Sequence, residues 1–258
     1  MKILLIGCGK MGSGLLDGWQ KSGIAAADIT VVDPFYEGKI TSYGFAEDIN
    51  KNYTPDFVLL AVKPQNIDEI MPHLKRFSGA VFISIIAGKT IAYFRKQLPN
   101  AVIIRTMPNL PALIGKGITA AVAGQKLEAK VKSAVIKLLE PCGKLIWLDD
   151  ENLINSVTAI SGSGPAYVFL FAQSLIEAGQ ELGLDEATAK ELVLETIKGS
   201  IALAETSGDN LVTLKENVTS KGGTTAAALE VLETGDALKK LIKTASKQAK
   251  LRAEELAG

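Results

Sequence analysis

Short apolar runs alternate with stretches of helical periodicity along the first half of the chain. Most of these runs end beside a glycine, a proline or a charged residue, and they are typical of strands buried on both faces of a parallel sheet. The predicted strands are Ile3–Ile6, Ile29–Val32, Phe57–Val62, Val81–Ile86, Ala101–Arg105, Ala120–Ala123 and Lys144–Leu148. The predicted helices are Leu15–Ser22, Asn66–Leu74, Thr90–Lys96 and Leu127–Leu139. Strands that alternate with helices predict right-handed crossovers and a doubly wound α/β sheet.

The second half of the chain shows helical periodicity only. Ala166–Leu182 is apolar on nearly all sides in its first turns, which predicts a buried helix. Asp185 is placed to cap a long helix that reaches Thr206, and Gly208 is placed to end it. The remaining predicted helices are Leu211–Asn217, Thr224–Leu232 and Asp236–Glu255. Because one helix is too apolar to stand alone, we expect a second copy of the chain to complete this half.

Composition and charge exclude several classes of function. The 258 residues are 47% hydrophobic and 22% charged, so the chain can form a core and is not disordered. Its 28 basic and 28 acidic residues balance, which gives no electrostatic case for a nucleic-acid or membrane partner. The longest apolar run, Ala166–Ala172, is far shorter than a membrane span, and the N-terminus does not resemble a signal peptide. We therefore expect a cytoplasmic protein.

Cysteine and histidine are scarce. Cys8 and Cys142 cannot form a disulfide framework and fit a reducing compartment. With a single histidine, His73, and no cysteine cluster, we expect no metal site. We expect His73 itself to have an ordinary surface or packing role.

A glycine-rich turn follows the first predicted strand. Gly7, Gly9 and Gly12 have the spacing G-x-G-x-x-G, which permits a tight turn, the approach of a pyrophosphate and close helix–strand packing. Free N–H groups at the following helix N-terminus would hold the anion. Asp33 ends the second predicted strand, where a carboxylate accepts hydrogen bonds from a ribose 2′-hydroxyl and repels a 2′-phosphate. The sequence thus predicts a nicotinamide dinucleotide site and favours NADH over NADPH.

A second glycine-rich segment precedes the predicted helix at Thr224. Gly222 and Gly223 lie beside the hydroxyl residues Ser220, Thr224 and Thr225. Several free N–H donors at a helix N-terminus would suit a substrate carboxylate. An ordinary helix cap explains the same pattern equally well, so the spacing leaves both interpretations open.

Five segments carry a family resemblance. They are Ala61-Val62-Lys63-Pro64-Gln65, Ala87-Gly88, Arg105-Thr106-Met107-Pro108-Asn109-Leu110-Pro111-Ala112, Ser161-Gly162-Ser163-Gly164-Pro165-Ala166-Tyr167 and Ser220–Thr225. With the glycine turn, they closely resemble the pyrroline-5-carboxylate reductase family over nearly the whole chain, although that family usually has proline where this chain has Lys221. The resemblance implies a dinucleotide-binding Rossmann domain over 1–151 and an all-helical dimerisation and substrate domain over 152–258. It also implies a homodimer that assembles further, typically into a decamer.

The resemblance also implies a reaction and the residues that serve it. The reaction is hydride transfer from NADPH or NADH to the cyclic imine 1-pyrroline-5-carboxylate, which gives L-proline in the last step of proline biosynthesis. The implied cofactor-binding residues, with Asp33, are Gly7, Cys8, Gly9, Lys10, Met11, Gly12, Ala61, Val62, Lys63, Pro64, Ala87, Gly88 and Asn109. The implied substrate-binding residues are Ser220, Gly222, Gly223, Thr224, Thr225, Asn217 and Glu151. The hydroxyl-rich loop further suggests Thr225 as the catalytic residue, whose hydroxyl would hydrogen-bond the imine nitrogen and donate or relay its proton.

Two points about this implied site stay open. The family's asparagine near the adenosine ribose matches either Asn50 or Asp48. Ligands of Rossmann folds bind beyond the carboxyl ends of the strands, whereas the substrate segment belongs to the predicted dimerisation domain. We therefore expect the active site to lie at a subunit interface, with residues 220–225 supplied by the other subunit.

Two other functions are compatible with the glycine turn. A hydroxyacid dehydrogenase of the Rossmann-plus-helical type would carry a catalytic lysine on its first long helix. Ala166–Leu182 contains no lysine, and the next one, Lys190, lies on the following helix. A sensor that binds a dinucleotide without catalysis would need only the first glycine turn, and it leaves the second candidate anion site unexplained.

Overall fold

The structure, a computed structural model, describes residues 1–257. Internal contacts divide the chain into two compact units. The first unit comprises residues 1–163 and the end of the last helix from Ala249 onward, and the second unit comprises residues 164–248. The domain boundary implied after residue 151 stays a prediction, since these limits reflect contacts within one chain.

An eight-stranded sheet forms the centre of the first unit, as described over residues 1–257. The strands are β1 (Ile3–Ile6), β2 (Ile29–Val32), β3 (Ser42–Tyr43), β4 (Phe57–Leu60), β5 (Val81–Ser84), β6 (Val102–Met107), β7 (Gly117–Ala123) and β8 (Gly143–Trp147). Their spatial order is β3-β2-β1-β4-β5-β6-β7-β8. β6 and β7 pair antiparallel, whereas the other neighbours pair parallel. Since the chain leaves β1 first to one side and then to the other, the predicted doubly wound sheet is confirmed.

Ten α-helices are described in the two units. Those of the first unit are α1 (Lys10–Lys21), α2 (Ile67–Leu74), α3 (Ile91–Gln97), α4 (Ala129–Leu139) and α5 (Leu153–Val157). The later helices are α6 (Gly164–Glu181), α7 (Glu186–Thr206), α8 (Leu211–Asn217), α9 (Thr224–Glu233) and α10 (Ala237–Ala257), and the end of α10 belongs to the first unit. The predicted cap is confirmed, because the Asp185 side chain accepts the N–H of Thr188 at the start of α7.

The structure corrects several predicted boundaries at the carboxyl edge of the sheet. α1 begins at Lys10 rather than at Leu15, because the glycine turn itself forms the start of the helix. β4 and β5 each end two residues early, so that Ala61 and Val62 lie in a loop at the strand ends. The prediction also omitted β3, whose two residues are too few and too polar to show a strand pattern.

Two apolar cores cover the two faces of the sheet. Leu4 and Ile6 belong to one core, and Ile3 and Leu5 belong to the other, as the two-residue period of a strand requires. The first core is closed by α2 and α3, and the second by α1 and α4. Fully buried Trp19 of α1 donates its indole N–H to the Leu138 carbonyl of α4 over 2.7 Å. These cores fix the strand ends from which the first candidate site is built.

Helix α6 is predicted to be buried with the help of a second copy of the chain, and within the single chain its apolar side chains are largely exposed. Phe169 is 58% exposed and Leu170 is 64% exposed. In the second unit α6 packs against α7, where Gly179 allows the close approach of Ala189. One neighbouring helix covers one side only, so the other apolar sides of α6 remain open within this unit.

One helical stretch has the length and composition of a membrane span. It runs over Leu153–Glu181, and its most apolar window has a mean hydropathy of 1.2. This stretch is longer than the uninterrupted apolar run at 166–172, because it also includes polar positions between apolar ones. Length and composition do not distinguish a membrane span from a helix that packs against another copy of the chain.

Candidate active site

The glycine turn between β1 and α1 is shaped by close backbone packing. Gly7 has a φ of +91° and donates its N–H to the Val32 carbonyl over 2.8 Å. A Cβ on Gly7 would lie 2.8 Å from the Ala61 carbonyl oxygen, and a Cβ on Gly12 would overlap the carbonyl oxygen of Gly7. Side chains are therefore excluded at both positions, which gives the tight turn and the close helix–strand packing that the motif requires.

The N-terminus of α1 fits a phosphate group. Gly9 is the N-cap residue of this 12-residue helix, and no side chain among residues 1–257 caps its N–H groups. A Cβ built on Gly9 would have no described atom within 4 Å, so a ligand can approach the backbone there. Lys10 is exposed in the first turn and Met11 is half-buried. Unpaired N–H groups and the positive end of the helix dipole form an anion site.

Asp33 joins the end of β2 to the glycine turn. Its Oδ2 accepts the N–H of Cys8 over 2.6 Å, and its Oδ1 accepts the N–H of Phe35 over 2.8 Å. These two bonds fix the carboxylate in position. Each oxygen keeps a second lone pair that can accept a ribose hydroxyl.

A cavity of about 600 Å³ opens beside this turn. Six residues predicted to hold the cofactor line it, namely Gly7, Gly9, Asp33, Ala61, Val62 and Lys63. The other predicted cofactor residues lie outside that lining, namely Cys8, Lys10, Met11, Gly12, Pro64, Ala87, Gly88 and Asn109. The structure thus brings the glycine turn, the Asp33 carboxylate and the loop after β4 together at the carboxyl ends of the strands.

Several lining residues were missed by the sequence reasoning. They are Pro34, Phe35, Phe45, Glu47, Asn66, Glu69, Ile70 and His73. The last four follow the spacing of one helix face, and this signal could have identified them once α2 was placed beside the cavity. His73, the one histidine of the chain, is part of this lining, and its Nδ1 lies 3.6 Å from Oε2 of Glu47.

Neither candidate for the family's ribose asparagine lines the cavity. Asp48 accepts the N–H of Phe45 over 3.3 Å, and the Asn50 side chain accepts the N–H of Asn52 over 2.9 Å. Both side chains serve local turns. Asn66 is the asparagine that faces the cavity.

A second, smaller cavity of about 40 Å³ lies at the ends of β5 and β6. Ala87, Gly88, Arg105 and Met107 are part of its lining. Gly88 has a φ of +75°, and a Cβ there would overlap the Leu256 carbonyl oxygen at the end of α10. Ala87 and Gly88, which the resemblance places at the nicotinamide half, therefore lie in one loop that packs against the end of α10.

Side-chain oxygens of Asn109 and Glu151 accept hydrogen bonds from other groups of the protein. The side-chain oxygen of Asn109 accepts the N–H of Ile118 over 2.9 Å, which ties it to β7. Oε1 of Glu151 accepts Nη1 of Arg105 and the N–H of Ile91, each over 2.8 Å. The implied contacts of Asn109 with the cofactor and of Glu151 with the substrate stay predictions.

The thiol of Cys8 is expected to be unreactive although it adjoins the glycine turn. Burial raises its pKa to about 11, and the nearby Asp33 and Asp17 carboxylates add to the rise. Burial also raises the pKa of Cys142 to about 11. Below that pH both groups stay protonated, and the raised pKa leaves about a hundredth of the thiolate of an unperturbed cysteine.

Alkylation with iodoacetamide measures this directly. At neutral pH, both cysteines of the native protein should react about a hundredfold more slowly than those of the urea-unfolded chain. Mass spectrometry of the peptides reports each site separately. Equal rates in the native and unfolded states would contradict the buried-thiol assignment.

The second glycine-rich segment lies in the second unit, between α8 and α9. Gly222 has a φ of +73°, and Gly223 donates its N–H to the Ser220 carbonyl over 3.0 Å. A Cβ on Gly223 would overlap the Ser220 hydroxyl oxygen. Gly223 is the N-cap of α9, so the first N–H groups of this ten-residue helix belong to Thr224 and Thr225. This arrangement can bind a carboxylate.

An ion pair connects α8 and α9, the helices on either side of this segment. Nζ of Lys215 in α8 pairs with Oε1 of Glu233, the last residue of α9, over 2.6 Å. Hydrogen bonding within the pair raises the pKa of Lys215 and lowers that of Glu233. Thr219 donates its hydroxyl to the Lys215 carbonyl over 2.6 Å. Asn217 is exposed at the end of α8.

Residues 1–257 contain no group of three or more His, Cys, Asp or Glu side chains that could hold a metal ion. Helix N-termini whose backbone N–H groups can bind an anion are present at the start of α1 and at the start of α9.

Two protein families match parts of the chain. Residues 151–256 match the family described as pyrroline-5-carboxylate reductase dimerisation. Residues 2–88 match the family described as NADP oxidoreductase, coenzyme F420-dependent.

Individual relatives extend the similarity over nearly the whole chain. The pyrroline-5-carboxylate reductase of Pasteurella multocida is 37% identical, covering 89% of this chain and 88% of its own. That of Pseudomonas aeruginosa is 36% identical, covering 99% and 97%. The crystal structure of Plasmodium falciparum pyrroline carboxylate reductase with NADP bound superposes with a TM-score of 0.90 at 30% identity, covering 100% of this chain and 98% of that chain. The pyrroline-5-carboxylate reductase of Coxiella burnetii gives a TM-score of 0.90 at 32% identity, covering 100% and 98%.

Proposed function

Because this chain belongs to the pyrroline-5-carboxylate reductase family, we propose that it reduces the cyclic imine 1-pyrroline-5-carboxylate to L-proline. It is an oxidoreductase that uses a nicotinamide dinucleotide and acts on a C=N bond. The observation that carries this function is the similarity to such reductases over 99% of the chain. The two backbone anion sites support it, since the reaction needs one site for a pyrophosphate and one for a small carboxylate.

The first unit supplies the dinucleotide site. The N–H groups at the start of α1 hold the pyrophosphate, and the missing side chains of Gly7 and Gly12 let the backbone pack closely enough to present them. Asp33 lines the cavity, where its carboxylate would accept hydrogen bonds from the adenosine ribose. When bound, the reduced nicotinamide supplies the hydride. The loop of Ala87 and Gly88 would lie beside that ring, with Asn109.

Residues 220–225 supply the substrate site. The N–H groups of Thr224 and Thr225 hold the carboxylate at the start of α9. The Thr225 hydroxyl then hydrogen-bonds the ring nitrogen and donates or relays its proton. Because a protonated imine is already electrophilic, the chain mainly has to position its two ligands. Asn217 and Ser220 lie on the elements that support this arrangement.

The oligomer completes this proposal. The match to the dimerisation family indicates a homo-oligomer, and we assign the open apolar sides of α6 to the interface between copies. A dimer is the minimum unit, and a decamer is the proposed full assembly. Residues 220–225 of one subunit would then complete the dinucleotide site of its partner. With α6 covered by protein rather than by lipid, the enzyme is cytoplasmic.

Steady-state kinetics with NADH and NADPH on the one imine test both the reaction and the cofactor preference. We expect reduced cofactor to be consumed only when the imine is present, with kcat/KM at least about tenfold higher for NADH. The lining of the large cavity contains three carboxylates, those of Asp33, Glu47 and Glu69. Its basic side chains are one lysine and one histidine. Like charges about 4 Å apart near a protein surface repel by about 4 kcal/mol, which disfavours a 2′-phosphate.

The variant Asp33→Asn removes the charge and keeps one of the two acceptor oxygens. The amide oxygen can accept the Cys8 N–H, whereas the hydrogen bond from the Phe35 N–H is lost, and without the repulsion the NADH preference should shrink about tenfold. Glu37→Gln is the matched control, because Glu37 follows on the same loop outside the lining and should leave the ratio unchanged. A wild-type preference for NADPH would refute the assigned role of Asp33. Dinucleotide binding without turnover would refute the reductase activity.

A further inference from the structure

One buried cation and one helix start share a single carboxylate oxygen in the first unit. Oε1 of Glu151 accepts Nη1 of Arg105 and the backbone N–H of Ile91, each over 2.8 Å. The Arg105 side chain is only 5% exposed and Glu151 is 27% exposed. A buried guanidinium needs a charged partner, so removing the carboxylate would leave Arg105 unpaired.

The same carboxylate binds the C-terminal end of the loop that carries Ala87 and Gly88, where α3 begins. Ile91 is the first residue of α3, directly after Thr90, whose side-chain oxygen caps the helix by accepting the N–H of Tyr93 over 3.2 Å. The position of the Ile91 N–H therefore sets where the loop enters the helix. Glu151 lies between β8 and α5, so its hydrogen bond to Ile91 connects the loop to the segment that follows β8.

Side chains of β5 and β6 hold the other side of this loop. The Ser84 hydroxyl accepts the N–H of Ile86 over 3.2 Å, and the Ser84 carbonyl accepts the Thr106 hydroxyl over 3.0 Å. Arg105 is the neighbour of Thr106 on β6, and it lines the small cavity together with Ala87 and Gly88. Both ends of the loop are thus anchored to β6, one directly and one through Glu151.

We propose that Glu151 is a positioning residue for hydride transfer and does not itself bind the substrate. It acts through Arg105 and Ile91 to hold Ala87 and Gly88 in the geometry that receives the nicotinamide ring. This role rests on the proposed function for its catalytic consequence, whereas the anchoring of the loop is independent of it. Its Oε1 already accepts two protein donors, and the bond to Arg105 ties it to the lining of the small cavity.

The test compares Glu151→Ala and Glu151→Gln with the wild-type enzyme. In Glu151→Ala, kcat should fall about 10–100-fold because the ring is misplaced by a fraction of an ångström or more. The KM for the dinucleotide should stay within about threefold, since the glycine turn and the Asp33 cavity are untouched. Glu151→Gln keeps an oxygen that can accept the Ile91 N–H and should recover part of the lost rate. If Glu151→Ala does not fold, the glutamine variant alone carries the comparison.

Amide hydrogen exchange of the ligand-free protein gives a readout that does not depend on turnover. Peptides that cover residues 85–94 should exchange about tenfold faster in Glu151→Ala and less so in Glu151→Gln. The matched control is Asp56→Asn, which weakens another carboxylate–backbone bond, to the Lys2 N–H over 2.7 Å, at the opposite ends of the strands. It should leave both kcat and the exchange of residues 85–94 unchanged.

Three results would overturn the positioning role. The first is a raised KM for the imine with kcat and exchange unchanged, which would make Glu151 a substrate ligand. The second is an equal loss of kcat in Asp56→Asn, which would reflect general destabilisation. The third is unchanged exchange of residues 85–94 in both Glu151 variants. If the wild-type protein does not reduce the imine, the proposed function fails separately, and the exchange measurement still decides whether Glu151 anchors the loop.

Discussion

The variant Leu170→Glu is expected to give a monomer that binds the dinucleotide and does not turn over the imine. Leu170 is 64% exposed on α6 within the single chain, and the segment containing it matches the dimerisation family. An unpaired carboxylate in an apolar interface costs several kcal/mol in desolvation, which is enough to separate the subunits. The glycine turn lies in the first unit and keeps its own core, so the dissociation constant for NADH should change by less than about threefold.

Three measurements on the same preparation test this expectation. Light scattering gives the oligomeric state, titration gives the dissociation constant for NADH, and a turnover assay gives the rate of imine reduction. Ile114→Glu is the matched control, since Ile114 is 75% exposed, lies in the first unit and falls outside the segment matched to the dimerisation family. It should keep the assembly and the rate of the wild type. A fully active Leu170→Glu monomer would show that one chain suffices for catalysis. A wild-type protein that stays in solution only with detergent would assign the apolar sides of α6 to lipid instead.

The variant Thr225→Ala is expected to lower kcat/KM for the imine by one to two decades. Removing a hydrogen bond to a polar or charged partner costs about 1–3 kcal/mol, and each 1.4 kcal/mol is a factor of ten in rate. The backbone N–H groups at the start of α9 are unchanged by the substitution, so the carboxylate should still bind. The loss should therefore appear mainly in kcat, with the KM for the imine within about threefold.

A serine at the same position separates the hydroxyl from the methyl group. Thr225→Ser keeps the hydroxyl and should retain most of the wild-type rate, whereas Thr225→Ala should not. The rate should be measured over a range of pH, because a proton-relay role predicts a changed pH profile for the alanine variant. Wild-type rate and affinity of Thr225→Ala across that range would remove Thr225 from the mechanism.

Local sequence chemistry was sufficient for the elements that carry the glycine turn. Ile3–Ile6 and Ile29–Val32 are strands with the predicted bounds, because short runs of mainly branched apolar residues are typical of strands covered on both faces. Asp185 caps α7 as predicted, since an N-cap depends on residues within one turn. The glycine spacing likewise has a local cause, as Gly12 packs directly on Gly7.

Other features depended on residues that are far apart in the chain. The lining of the large cavity combines loops after β2, β3 and β4 with one face of α2, so Asn66 and His73 had no signal until those elements were placed together. The choice between Asn50 and Asp48 for the family's ribose asparagine also depended on the placement of distant elements. In the structure, both side chains accept hydrogen bonds within local turns instead. The apolar composition of α6 is compatible with burial, and the single chain leaves it open.

The sequence by itself determined the alternation of strands and helices, the glycine turn and the family of this protein. These features depend on the period of apolar residues, on missing side chains and on short motifs, all of which act over a few neighbouring positions. Only the tertiary structure decided that Asp33 bonds to Cys8 and that Glu151 joins Arg105 to the start of α3. Hydrogen bonds between residues 25, 46 and 60 positions apart leave no periodic trace in a sequence, because they depend on how the elements pack against one another.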